Sequence, residues 1–175
     1  MANTNKESVI LDVVVSSKVG GYNRMVKCGR VFVTDKGTSM INIESTPTMK
    51  GNWDGKTYLV MKPDMGDITD VYPVVEGSKG SNLPALELKA IFDVEEGRDT
   101  RTNYLLCGAA WHGKKREDGD IRSLVMQIDR LPIGDTGDWD GFTYTGTPVK
   151  ARTVEQVSRS NKSSRKKTED EVAEA

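Results

Sequence analysis

The chain has 175 residues, 29% of them charged, with 25 Lys and Arg against 26 Asp and Glu and a formal net charge of −1. That length holds enough core for independent folding, and the near balance of charge gives no global imbalance pointing to nucleic acid. Two cysteines are too few for a secreted disulfide framework, and no apolar run approaches the roughly 20 residues of a membrane-spanning helix, so a soluble, cytoplasmic protein without a membrane partner is expected.

Residues 1–7 are polar and are expected to fray. Short alternating stretches rich in β-branched residues then predict strands over 8–15, 24–33, 39–45 and 57–61. Turn formers separate them, at residues 19–22, 34–37 and 51–55. A linker over 64–85 carries Gly, Pro, Asp and Ser around one apolar run, 71–75, which Pro73 confines to a sheet edge. Such an edge is able to pair between chains, which makes a homo-oligomer an open alternative. Further strands are predicted over 86–94, 103–111, 121–129 and 142–149, with a turn at 95–99 and a longer polar loop at 112–120.

From 149 onward the character changes. Thr153-Val-Glu-Gln156 has the spacing of a capping box and predicts a short helix. Seven basic residues lie between Lys150 and Lys167, and the last eight residues carry four acids and no base. Composition this polar cannot support a packed core, so 149–175 is expected to be a charged, disordered tail.

One echo organises the rest. Trp53-Asp-Gly-Lys-Thr-Tyr58 returns as Trp139-Asp-Gly-Phe-Thr-Tyr144. Upstream of the first copy lie Cys28-Gly29, Ser39 and Pro47; upstream of the second lie Cys107-Gly108, Ser123 and Pro132, in the same order. Val9 and Leu88 each stand 19 residues before their cysteine. The chain therefore reads as one β unit used twice, over 8–63 and 86–148. Four short strands rarely bury a sound core alone, so the halves either pack on each other or complete one barrel together. The expected fold is all-β, an internally duplicated antiparallel unit forming an OB-like barrel or barrels.

Trp-Asp-Gly has two readings. Asp-Gly favours a tight hairpin or a left-handed position that the tryptophan pins to the sheet. Alternatively, Trp53 and Trp139 with Tyr58 and Tyr144 offer flat faces on which bases stack, as in single-strand binders that combine aromatic platforms with a cationic groove. Trp111 and Phe32 hold nearly equivalent places and extend that platform or belong to the core. Lys56, beside the first corner, and Lys114, Lys115 and Arg116, in a loop lengthened only in the second copy, are the basic residues set to meet phosphates.

Catalytic and metal chemistry have little to stand on. His112 is the single histidine, and Cys28 and Cys107 lie in strands rather than in CxxC pairs. Reduced, buried thiols and a bridge between the halves both remain open. The acids at 64, 67 and 70 and at 93, 95 and 96 lack calcium-loop spacing. No catalytic residue, metal or cofactor is expected, and the protein is not read as an enzyme.

Cys107-Gly-Ala-Ala-Trp111, a charged loop containing Gly, and then Ser123-Leu-Val-Met-Gln-Ile-Asp-Arg-Leu-Pro132 are similar to small phage and plasmid proteins with a Gly-Ala-Ala-Trp strand. The acidic tip after a flexible stretch resembles the tail of single-stranded DNA-binding proteins, although it ends Ala-Glu-Ala without the terminal Pro-Phe of the bacterial family. Together these resemblances imply a phage-type single-stranded DNA-binding protein acting in replication or recombination, with replication or recombination proteins as tail partners. The alternative is a phage protein–protein interaction module that binds or inhibits a host factor, or a minor structural protein. It is motivated by the 18 bases and 21 acids carried before Val149.

Overall fold

The computed structural model describes residues 9–35, 37–48, 51–75, 83–96, 99–132 and 139–149. The start expected to fray and the charged tail expected beyond Val149, with its capping box, lie outside the described residues. Eight strands form among those described: β1 (Val9–Val19), β2 (Tyr22–Val33), β3 (Ser39–Ile43), β4 (Thr57–Met61), β5 (Leu86–Glu96), β6 (Asp99–His112), β7 (Ser123–Ile128) and β8 (Thr143–Pro148). A 3-10 turn over Ile68–Asp70 lies between β4 and β5.

All eight strands expected from the alternation are present, and two hairpins run further than expected. Gly20 and Gly21 both take positive φ, 58° and 87°, so a two-residue turn suffices and β1 and β2 continue to pair up to Val19 and Tyr22. In the second hairpin, β5 and β6 pair as far as Glu96 and Asp99.

The strands close into one antiparallel barrel in the order β1-β2-β3-β8-β5-β6-β7-β4. Each copy contributes four strands in the Greek-key order 4-1-2-3. Its two free edges, β3 and β4, pair with β8 and β7 of the other copy. The halves therefore complete a single barrel. Because neighbours are antiparallel, β1 and β5 run the same way, and the copies are related by a twofold about the barrel axis. Both hairpins and both Trp-Asp-Gly corners consequently sit at one end. The β2–β3 turn, the β6–β7 loop and the crossover from β4 to β5 sit at the other.

The Cys-Gly pairs are where each copy bends. Val13 pairs with Gly29 and Val14 with Lys27, leaving Cys28 as a bulge; Leu88 pairs with Gly108 and Lys89 with Leu106, leaving Cys107 as its counterpart. The bulged carbonyls each accept two amides from the chain leaving the next strand. Cys28 takes Glu44 and Ser45 at 2.8 and 3.0 Å; Cys107 takes Asp129 and Arg130 at the same distances. Both thiols are buried and free, and burial pushes the Cys28 thiol up to about 11.

This register corrects two equivalences expected from spacing. Leu88 corresponds to Val13 rather than to Val9, because the second hairpin is longer: 20 residues from Leu88 to Gly108, against 16 from Val13 to Gly29. Ser39, opposite Val33, corresponds to Leu124, opposite His112, rather than to Ser123.

An eight-stranded barrel is just wide enough for side chains to fill. Leu11, Val13, Val31, Ile41, Val60, Leu88, Leu124 and Met126 do so, all fully buried. The crossover seals the lower end. Asp67 accepts from the Thr69 amide at 2.9 Å and starts the 3-10 turn, which drops Ile68 and Tyr72 onto the core. The Tyr72 hydroxyl and Ser39 Oγ lie 2.6 Å apart, and His112 Nε2 donates to the Tyr72 carbonyl at 2.7 Å. Segment 71–75 is therefore not the edge strand expected. Tyr72 buries in the barrel end and Val71 packs half-buried against the core, while Val74 stays exposed, and closure leaves the barrel wall without an edge to extend.

A side chain at Gly29 or Gly108 has no room, because a Cβ there would come within 3.0 Å of the Asn42 or Gln127 carbonyl oxygen of the neighbouring strand. Gly29→Ala and Gly108→Ala should each destabilise the barrel by about 1–3 kcal/mol in denaturant unfolding. A wild-type midpoint in either variant would show that the strand approach is looser than described.

Candidate functional site

The echoed hexamer builds a corner. Asp54 accepts from the Lys56 and Thr57 amides at 2.9 and 2.8 Å and from Thr57 Oγ1 at 2.5 Å, while Gly55 supplies φ of 81°. Asp140 repeats this with the Phe142 and Thr143 amides at 2.8 and 2.7 Å and Thr143 Oγ1 at 2.5 Å, with Gly141 at 83°. Trp53 Nε1 donates to the Thr57 carbonyl and Trp139 Nε1 to the Thr143 carbonyl, both at 2.7 Å. Each indole meets its tyrosine edge-on, with 5.7 Å between centroids.

The corner therefore consumes most of what a stacking platform would need. Tyr58 and Tyr144 are only 6% and 3% exposed, so neither can offer a free face to a stacking base, and that expectation is corrected. Trp53 and Trp139 are half-buried against the core with their N–H groups spent. Trp111 alternates with buried Ala110 on the outer wall, opposite Val125 and in the register position of Phe32.

The basic residues divide as well. Lys56 stands exposed beside the first corner, whereas Lys114, Lys115 and Arg116 occupy the β6–β7 loop at the opposite end. The expected aromatic and cationic set does not assemble into one groove. Strand alternation is the reason: a loop one strand later in the chain emerges at the other end.

What stands at the corner end are two hairpin arms. The first is β1–β2 beyond Val14, the second β5–β6 beyond Lys89, where pairing with β4 and β8 stops. Tyr22 on the first arm is 81% exposed and Tyr104 on the second 72%, with Lys89 Nζ 5.7 Å from the Tyr104 ring centroid. Tyr22 and Arg24 pair with Val19 and Ser17, and so share the face that continues the barrel interior. Residues 13–34 hold four bases, Lys18, Arg24, Lys27 and Arg30, and no acid. Asp12 holds Lys27, and Glu44 lies 3.5 Å from Arg30. Lys18 and Arg24 have no carboxylate partner among the described residues. An acid-free run spanning a Gly-Gly turn was the available sequence signal for this arm.

Between the corners the barrel mouth opens as a cleft of about 730 Å³. Ile43 and Ile128, with Tyr58 and Tyr144, form its paired walls, and Lys56, Arg130 and Phe142 reach its rim. Burial pushes the Tyr144 hydroxyl up to about 12 and raises that of Tyr58, so both stay neutral at physiological pH. Among the described residues no group of His, Cys, Asp and Glu is arranged to hold a metal ion, and no helix is long and apolar enough to cross a membrane. No protein-family model, curated protein or solved structure matches the chain.

The corners carry a pH signature. The Thr57 hydroxyl, opposed by burial but aided by the Lys56 and Thr57 amides, holds Asp54 below the usual carboxylate range. At Asp140 burial opposes the charge but is outweighed by the Thr143 hydroxyl and the Phe142 and Thr143 amides. Folded-state values below the unfolded ones mean stability that is complete above about pH 4 and lost as pH falls through the lowered values. The double variant Asp54→Asn, Asp140→Asn should therefore show a shallower loss of stability below about pH 4 in urea unfolding. An unchanged acid limb would assign that loss to other carboxylates.

Proposed function

We propose that the protein binds single-stranded DNA with little sequence preference, along the first hairpin arm and toward the barrel mouth. The observation that carries this reading is the acid-free stretch 13–34, which places Lys18, Arg24 and the exposed Tyr22 on one arm with no acid among them, in a chain whose net charge is −1. Backbone affinity comes from clustered cations that release counterions, and sequence tolerance from stacking on rings with a free face. On the second arm Lys89 stands beside the exposed ring of Tyr104. The likeness of residues 107–132 to phage and plasmid proteins is the reason to read the setting as replication or recombination of a mobile element. The acidic tip, outside the described residues, is the proposed contact for partner proteins.

One other observation favours the alternative of a protein-interaction module. Ile10, Phe32 and Met40 pair across β1, β2 and β3 as an outward apolar row, with Ile10 and Met40 nearly half exposed. A host protein retained from lysate after nuclease treatment, and lost on Met40→Asp, would support that reading.

Titration of an oligothymidylate at several salt concentrations tests the first. Tyr22→Ala should weaken binding by roughly 1–3 kcal/mol. Removing Lys18 and Arg24 together should lower the slope of log K against log salt by about 1.4, at about 0.7 per phosphate contact. No salt-dependent complex at micromolar protein would end the DNA reading.

A further inference from the structure

The twofold lets the mouth be read position by position. Ile43 matches Ile128, Gly55 matches Gly141 and Tyr58 matches Tyr144, so walls and floor repeat in both copies. The rim does not repeat. Lys56 stands where the second copy has Phe142, and Arg130 stands where the first has Ser45.

These differences fall on opposite seams. The Ile128 amide donates to the Lys56 carbonyl at 3.1 Å, so Lys56 and Arg130 belong to the β4–β7 seam. The Ile43 amide donates to the Phe142 carbonyl, also at 3.1 Å, across the β3–β8 seam. One side of the cleft is cationic and the other aromatic. Folding asks only for the repeated residues, since the corner hydrogen bonds at 56 and 142 are made by backbone.

The exposed groups on each side are free to meet a ligand. Phe142 is 58% exposed. Neither Lys56 nor Arg130 forms an ion pair among the described residues, although Lys56 lies near enough to Asp54 to help hold its carboxyl charged. Asp129 is the single acid among the described lining residues, and it accepts from Gln127 Nε2 at 2.8 Å. A cleft of about 730 Å³ is in the range that seats a small ligand. Phe142 is the exposed ring of its lining, above the buried Tyr58 and Tyr144, and a flat ligand ring covers such a face more fully than an alkyl chain.

We infer that the barrel mouth seats one nucleotide unit, its base against Phe142 and its phosphate on Lys56 and Arg130. This deepens the DNA-binding reading by giving the strand a fixed subsite at the mouth, beside the sequence-tolerant arm. It rests on that reading for its biological ligand, while its chemistry is testable alone. The tyrosine hydroxyls on the floor remain available to hydrogen-bond a base edge.

Thymidine monophosphate is the direct probe. Trp53 and Trp139 touch the floor tyrosines, so their emission reports occupancy of the cleft. Saturable quenching by the nucleotide should weaken about tenfold in Phe142→Ala and recover in Phe142→Tyr. Lys56→Ala with Arg130→Ala should weaken it similarly, while Lys18→Ala with Arg24→Ala should leave it unchanged. All these side chains are exposed, and matching unfolding midpoints would confirm folded variants. If the oligonucleotide binds through the arm but the rim variants bind nucleotide and oligonucleotide as wild type does, the inference falls and the DNA reading stands. If the nucleotide binds with the expected dependence but no oligonucleotide does, the DNA reading falls and the subsite stands. Absence of both overturns both.

Discussion

A sheet edge is a row of unpaired N–H and C=O groups, and each copy of this duplicated unit has two of them. In the order 4-1-2-3 the edge strands are the third and fourth, both only five or six residues long. Neither copy could cover its own edges, and four strands bury little core. Each copy instead offers its third strand to the fourth of the other. That mutual closure fixes the twofold along the barrel axis. From it follow the shared end for both corners and both arms, the cleft between them and the sealed opposite end. The bulges at Cys28 and Cys107 and the close approaches at Gly29 and Gly108 keep each unit bent enough for the seams to meet.

Departures from symmetry occur at both ends of the barrel and differ in kind. At the lower end they follow from having one crossover for two copies. Ser39 faces the Tyr72 hydroxyl where the other copy has Leu124, and His112 reaches the Tyr72 carbonyl where the other has Val33. One plug needs a polar partner from each half, so the lone histidine serves the fold. At the upper end no crossover explains Lys56 against Phe142 or Ser45 against Arg130. There the asymmetry is exposed and separates a cationic seam from an aromatic one.

Much of the frame was legible in the chain. Alternation marked all eight strands, and the Trp-Asp-Gly echo located the duplication, because an Asp and a Gly with fixed hydrogen-bonding duties recur wherever the corner recurs. Register was less legible. Val9 and Leu88 sit at equal distances from their cysteines, yet the hairpins differ in length, and sequence spacing cannot say where a pair of strands begins to pair. The run 71–75 looked like an edge strand because its composition suits one, and only the open barrel end below it shows why Tyr72 is buried. The site was the least legible part. Aromatic residues near lysines in sequence suggest a platform, but Tyr58 and Tyr144 point inward by alternation, and the Lys114–Arg116 loop leaves the barrel at the far end. Tyr22 falls in the turn expected at 19–22, and Tyr104 lies inside the strand expected over 103–111, where alternation alone does not reveal that the hairpin projects beyond the barrel.

Net charge does not describe what a ligand would meet at one place on the surface, for a physical reason. At physiological ionic strength charges interact over about 8 Å, so a ligand senses its neighbourhood and not the whole chain. The second arm mixes Lys89 and Arg101 with Asp93, Glu95 and Asp99, and is close to neutral. The first arm has no acid at all between Asp12 and Asp35. Two hairpins descended from one unit thus present different fields at the same barrel end, on either side of a cleft whose rim is polarised as well. On the binding proposed above, one-sided charge on a symmetric scaffold would give a polyanion a direction, with its phosphates along the first arm and the β4–β7 seam.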